Sequence, residues 1–333
     1  MKAASPLAFD KLVTALRGSA EPTRLRILAL LGEAELTVSD LTEILRQSQP
    51  RISRHLKLLT EAGLVERFRE GSWAFFRLPE DGSGSELVRS LVGRLDHEDP
   101  IAAKDRERLA AVRAARAAAA QAYFRAHAGE WDRLRQLHVS DAAVEAAITE
   151  ALLERPFRSL LDLGTGTGRL LELFGPHIER GLGIDLSPAM LASARVRLDS
   201  AGLRHCTVRQ GDIYDLSVPR DSFDVVILHQ VLHYVDDPAG AIREAARVLR
   251  PSGRLLVVDF APHQLELLRE QHAHRRLGFA PEAVAQWMGA AGLDVILQRD
   301  LQPEPGAEGK IAVSLWLARD PRMLIAGPAR EVA

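Results

Sequence analysis

The spacing of apolar residues changes character twice along this chain. From about residue 7 to residue 63 they recur every three or four positions in four runs, LAFDKLVTALRG, EPTRLRILALLG, LTVSDLTEIL and SQPRISRHLKLLTEAG. That period predicts four amphipathic helices. Pro22 and Pro50 stand where a first helical turn tolerates proline, Gly32 and Gly63 where a helix stops, and Thr37 or Ser39 where a hydroxyl can cap the third helix. Ile52, Leu56 and Leu59 share one face of the fourth run, and together with Leu58 and Val65 they are core candidates. The period then drops to two in LVERFR and WAFFRL, either side of EGS, which predicts a hairpin. After the flexible break PEDGSGSE, the stretch from Leu87 to about His127 reads as helix, with the Ala- and Arg-rich run RLAAVRAARAAAAQAYF as a connector. From about Phe157, short apolar runs alternate with helical ones: SLLDLG, GLGIDLS, CTVRQGD, FDVVILH, GRLLVVDF, LDVILQRD and KIAVSLWLA. These predict an α/β domain with a seven-stranded sheet and a helix between each of the first six strands. LQPEPGAEG is too short for a crossover helix, so the last strand is expected to run antiparallel to its predecessor.

At 333 residues and 47% hydrophobic, the chain has room for two or more cores. Its net charge of −2 conceals an excess of three positive charges between Ser48 and Arg77. Cys206 is the one cysteine, which excludes an internal disulfide and argues against a cysteine-built metal site. The first residues lack a signal-peptide pattern and no apolar run reaches membrane-spanning length, so a cytoplasmic location is expected.

The densest chemistry lies in LDLGTGTG. Asp162 closes a strand, and Gly164, Thr165, Gly166 and Gly168 form a tight turn into a helix. Glycines there let the backbone approach a ligand closely. Asp185 follows Gly164 by 21 residues at the end of the next strand, where a carboxylate can accept from both hydroxyls of a ribose. Asp212 ends the third strand in QGDIYDL. All three lie at carboxyl ends of neighbouring parallel strands, where open α/β sheets bind ligands. A dinucleotide-dependent dehydrogenase shares this pattern; the strand order and the antiparallel final pair stand against it.

With those motifs in hand, residues from about 120 to 318 resemble a Rossmann-like S-adenosylmethionine-dependent methyltransferase. LDLGTGTG, GIDLS and GDIYDL match its cofactor motifs. FDVVILHQVLHYVDDPAGAIREAARVLRPSGRLLVVDF is similar to small-molecule methyltransferases of the ubiquinone-biosynthesis type. The resemblance implies S-adenosyl-L-methionine as cofactor and S-adenosyl-L-homocysteine as product. It assigns Gly164 and Gly166 to the methionine portion, Asp185 to the ribose, Asp212 to the adenine amino group, and Ser187 and Met190 to the adenine surroundings. Asp162, Thr165, Gly168, Leu186, Gly211 and Ile213 complete the expected wall, and His229 faces cofactor and acceptor. His229 and His233 are the acid–base candidates, because imidazole titrates near neutrality. Tyr123 and Trp131 lie in a region that covers the cofactor in that family, with core packing an equal reading.

Residues 1 to 78 resemble an ArsR-type winged-helix repressor, carried by EPTRLRILALL, LTVSDL and the stretch from Ser48 to Leu78. The resemblance implies that the fourth helix enters the major groove of operator DNA. Ser48, Gln49, Arg51, Ser53, Arg54, His55 and Lys57 are the candidate contacts on that helix, and Arg67, Arg69 and Arg77 those on the wing. LTVSDL lacks the cysteines of metal-sensing relatives, and RLDHEDP offers half of a carboxyl-terminal metal site, so no metal is expected. The single cysteine likewise argues against arsenic methylation.

The expected organisation is a winged-helix domain at 1–80, a helical connector and dimerisation segment at 81–128, a methyltransferase domain at 129–320 and a tail at 321–333. The expected function is a homodimeric transcriptional regulator whose methyltransferase domain senses the methyl cycle and retains methyl transfer as an open question. The alternative is a small-molecule methyltransferase carrying the winged helix as an autoregulatory or dimerising appendage. HQLELLREQHAHRRLGF, with its histidines and arginines, reads either as a wall for an anionic acceptor or as a solvated helix.

Overall fold

A computed structural model describes residues 7–70, 73–79, 83–96, 98–127, 140–303 and 310–323. Trp131 and residues 324–333 lie outside them. The chain divides into two compact units, Met1–Ala118 and Ala119–Ala333.

The first unit begins with α1 (Phe9–Ser19) and α2 (Pro22–Glu33), the latter with Pro22 in its first turn and the Glu21 carboxylate accepting from Arg24 N at 2.8 Å. A short strand β1 (Leu36–Thr37) leads into α3 (Val38–Leu45). Thr37 caps α3 in a reciprocal box: its hydroxyl accepts from Asp40 N, and the Asp40 carboxylate accepts from Thr37 N. Arg46, at φ 53°, ends α3 in the left-handed region, and the chain turns into α4 (Gln49–Glu61). The hairpin β2 (Glu66–Glu70) and β3 (Trp73–Arg77) pairs antiparallel, and β1 adds to β3, giving the order β1-β3-β2.

Ile52, Leu56 and Leu59 of α4 are buried with Val65 in a core that includes Ile27 and Leu41. Leu58 departs from the expectation: it is 39% exposed. On a helix it falls about 100° from Leu59, so it turns away from the stripe that 52, 56 and 59 make. α5 (Ser83–Val92) follows, then α6 (Pro100–His127), a single helix that crosses the boundary between the units.

The second unit opens with α7 (Asp141–Leu153), capped by Ser140. Its sheet holds β4 (Ser159–Leu163), β5 (Arg180–Asp185), β6 (Cys206–Gln210), β7 (Phe223–His229), β8 (Leu249–Phe260), β9 (Asp294–Leu301) and β10 (Val313–Arg319), in the order β6-β5-β4-β7-β8-β10-β9. The first five strands in that order are parallel; β10 runs antiparallel to both β8 and β9. α8 (Arg169–Phe174), α9 (Pro188–Ser200), α10 (Pro238–Arg247), α11 (Leu267–Gln271) and α12 (Pro281–Ala290) complete the layers. One expectation fails: no helix joins β6 to β7. Residues 211–222 form turns, pinned where Leu216 N donates to Glu244 Oε1 and Ser222 N to Val248 O. Pro219 and the aspartates of GDIYDLSVPRDS favour that outcome over a helix.

Buried apolar side chains lie on both faces of the sheet. Phe174 and Leu171 belong to one cluster, and Ile242 and Met288 to the other. A near-continuous buried run such as FDVVILH reflects a parallel strand covered on both sides.

Candidate nucleic-acid and cofactor sites

On α4 the helical period separates core from surface. With Ile52, Leu56 and Leu59 turned inward, Ser48, Gln49, Arg51, Ser53, Arg54 and Lys57 are exposed. The α3–turn–α4 unit therefore presents the polar side chains of its second helix, in the arrangement that fits a major groove. Lys57 lies 3.8 Å from Glu61 one turn later. Arg67 and Arg69 are exposed on β2, whereas Arg77 is spent on Glu66 and Glu35, at 3.1 and 3.7 Å. His55 is set apart from the others. It is half-buried with Nδ1 3.6 Å from Glu21, and burial, helped by Arg24, Arg51 and Arg54, lowers its pKa. It meets the residue that caps the start of α2.

In the second unit the turn after β4 takes three left-handed glycines, Gly164, Gly166 and Gly168, at φ 71°, 53° and 79°. A side chain at 164 would also collide with Val231, 2.3 Å from its Cβ position, so the loop after β7 lies directly against the turn. Asp162 is buried and its Oδ2 accepts from the Thr165 hydroxyl at 2.7 Å, which fixes the turn's shape from below. Asp185 stands at the tip of β5. Its Oδ2 accepts from Gly166 N at 2.9 Å and its Oδ1 from Ser187 N at 2.8 Å. Burial raises its pKa while those N–H bonds pull the other way. Ser187 caps α9 and Met190 is buried beneath it, with Leu186 exposed beside Asp185. Gly211, Asp212 and Ile213 follow β6; Asp212 is exposed, Ile213 is buried, and Asp212 Oδ1 accepts from Tyr214 N.

His229 ends β7, partly buried, and His233 sits four residues on in a turn of 3₁₀ helix, Leu232–Tyr234. The two differ sharply in setting. His233 is 1% exposed, and its Nδ1 meets Asp259 Oδ1 at 2.7 Å. The rings of Tyr234, His274 and Phe260 close around it, with centroids at 4.1, 4.2 and 4.7 Å. Burial and the neighbouring histidines push His274 far below the usual imidazole range, and burial lowers His263 to about 4. The arginines nearby are engaged: Arg275 with Asp236, and Arg269 with Glu266 at 3.2 Å. In the segment HQLELLREQHAHRRLGF, Leu268, His274 and Arg276 are buried, whereas Gln264, Leu265, Leu267, Glu270 and Gln271 are exposed. Only Leu267–Gln271 is helical, and its histidines 263 and 274 are held neutral.

Some residues of the site carry weak sequence signals. Asp259 is visible only as the acid that closes the apolar strand GRLLVVDF. Arg169 joins the glycine turn to α7 by a bidentate pair with Glu145, both bonds 2.7 Å, and Arg197 Nη1 reaches the Thr167 hydroxyl at 3.1 Å. Among the described residues no group of His, Cys, Asp and Glu could hold a metal ion, and no helix is long and apolar enough to cross a membrane.

One unit carries a winged helix-turn-helix, and the other a glycine turn at the carboxyl ends of parallel strands. Residues 21–67 match the family described as bacterial regulatory protein, arsR family, and residues 161–257 match the methyltransferase domain family. The chain is 28% identical over 153 residues to the uncharacterized methyltransferase YcgJ of Bacillus subtilis, covering 43% of this chain and 58% of that protein. It is 40% identical over 129 residues to an uncharacterized 37.1 kDa protein in a transposon of Streptomyces fradiae, covering 37% of each. It therefore spans little more than half of the first relative and over a third of the second. A solved complex between a Haloferax volcanii methyltransferase activator and a putative methyltransferase shares the fold, with TM-score 0.50 and 23% identity over 60% of this chain and 98% of that one.

Proposed function

We propose that this chain is a DNA-binding transcriptional regulator whose methyltransferase domain holds S-adenosylmethionine or S-adenosylhomocysteine and alters operator affinity according to which is bound. The reading divides the chain into a DNA-binding domain (1–80), a connector with dimerisation surface (81–128), a ligand domain (129–320) and a tail (321–333), acting in the cytoplasm as a homodimer on double-stranded operator DNA. The observation that carries it is the clasp on Asp185. Backbone N–H groups of the glycine turn and of the α9 entry hold its carboxylate at a strand tip, in the same chain as an exposed Arg- and Ser-bearing α4.

The residues present fit the cofactor. Asp185 would accept from the ribose hydroxyls, Asp212 would receive the adenine amino group, Leu186 and Met190 would flank the base, and the backbone of Gly164 to Gly168 would run beside the methionine portion. When bound, the sulfonium supplies an electrophilic methyl group. The chain's own contribution is alignment and exclusion of water: the buried, ring-lined surroundings of His233 keep solvent from the tips of β7 and β8.

Methyl transfer to a small-molecule acceptor is the second reading, favoured by the His233–Asp259 pair. A carboxylate on Nδ1 favours the tautomer that carries its proton there and leaves Nε2 bare, the atom through which a base would receive an acceptor's proton. His229 is the more accessible imidazole of the two for the same role.

The variant Gly166→Asp tests the regulator reading. It adds bulk and negative charge beside Asp185, so it should bind DNA like the parent chain but lose any response to either ligand. A full ligand response in that variant would remove the glycine turn from the sensing site.

A further inference from the structure

Helix α6 begins in the first unit and ends in the second. Its first half is part of the DNA-reading unit. Asp105 takes two bonds of 2.6 Å from Arg26, Arg108 donates to Ile44 O at 3.0 Å, Arg116 pairs with Asp40, and Leu109 and Val112 are buried in that unit's core. Asp40 and Ile44 belong to α3, the helix directly before the DNA-facing α4. The last turns of α6 belong to the second unit. There Tyr123 shares a hydrogen bond of 2.6 Å with His272 Nδ1, and their rings meet edge-on at 5.8 Å.

From His272 a run of direct contacts leads back to the glycine turn. His272 N and His274 N both donate to Leu268 O, at 3.1 Å each. The His274 ring stacks on His233 at 4.2 Å, and its Nε2 lies 3.5 Å from the Tyr234 hydroxyl. His233 and Tyr234 belong to the loop whose Val231 fills the space a side chain at Gly164 would need. Cores transmit small displacements because they are close-packed. Val231 stands two residues before His233, the ring at the centre of this stack.

We propose that the Tyr123–His272 bond is the latch through which occupancy of the methyltransferase site reaches α6 and, through α6, the seat of α3. The proposal rests on the regulator reading above and names its route. The latch has two arrangements, with Tyr123 bonded to His272 and with that bond broken, and the two hold the last turns of α6 differently. A ligand acts on DNA affinity to the extent that it binds the two states with different affinity.

The test uses the full chain with DNA from upstream of its own gene, and the variants Tyr123→Phe, His272→Gln and the double variant. For each, DNA affinity is measured without ligand and with saturating S-adenosylhomocysteine, and the ratio of the two is the coupling. Working with the ratio removes any effect of a variant on DNA affinity itself. The expected result is a coupling about 2- to 30-fold smaller in each single variant, the range found for residues that carry coupling, with no further loss in the double variant. In parallel, hydrogen exchange in residues 120–127 of the parent chain should change on adding S-adenosylhomocysteine. Parent-like coupling in both single variants, or unchanged exchange in those residues while DNA affinity does change, overturns the latch and leaves the regulator reading standing. Absence of any ligand effect on DNA affinity in the parent chain overturns both.

Discussion

Asp185 shows how much a single side chain is asked to do. Its carboxylate organises two backbone N–H groups from two different elements, and its folded-state pKa is raised by burial. A ribose would add donors that favour the ionised form. Asp185→Ala is expected to weaken S-adenosylhomocysteine binding by about 1.5–3 kcal/mol, the range for hydrogen bonds to a charged group, as read by calorimetry. His274 carries a different prediction. Its folded-state pKa lies far below that of a free imidazole, so the unfolded chain binds a proton that the folded one refuses. The stabilisation is whole above pH 6.5 and erodes as pH falls below it. Between pH 7.5 and 5 the parent chain should lose about 2 kcal/mol more stability in its second unit than His274→Phe does. Urea unfolding at the two pH values reads this; equal losses would show that His274 takes up its proton in the folded state. At this scale the sequence is legible where chemistry is local. Gly164, Asp185 and Asp212 are expected at strand ends from spacing alone, and each stands at or just beyond the end of β4, β5 or β6. The partner of His233 does not, because Asp259 is 26 residues away and meets it only once β7 and β8 lie side by side.

At the scale of elements, caps and stripes decided what could be read. Thr37 and Ser39 are equivalent candidates in LTVSDL, and the reciprocal bonds with Asp40 select Thr37. Thr37→Ala should cost the first unit about 1 kcal/mol, whereas Ser39→Ala, at an exposed position, should be near neutral in the same thermal unfolding experiment. A larger loss at 39 than at 37 would reverse the assignment. Hydrophobicity alone put Leu58 in the core, and the helix period puts it outside. The missing helix between β6 and β7 has a similar origin. Alternation of strands and helices is a rule about most crossovers, and a loop of proline and aspartates with side-chain anchors such as Glu244 can cross the sheet edge without one. The clasp of Arg169 on Glu145 joins α7 to the cofactor turn across 24 residues, a distance at which charge pairing leaves no periodic trace.

At the scale of the whole molecule, the architecture was the most legible feature: seven strands, with the last running antiparallel, and a separate helix-turn-helix unit. What the chain does with both halves is a matter of linkage. If a ligand of the second unit changes DNA affinity, DNA must change the affinity for that ligand by the same factor. S-adenosylmethionine carries a sulfonium charge that S-adenosylhomocysteine lacks, so the two can favour different states of one site. The most direct measurement is the fluorescence anisotropy of labelled DNA from upstream of the chain's own gene, titrated with the protein at fixed salt, alone and with each ligand at saturation. The account predicts that the two ligands give different dissociation constants, with at least one of them shifted by about 5- to 150-fold from the ligand-free value. One dissociation constant under all three conditions would contradict it.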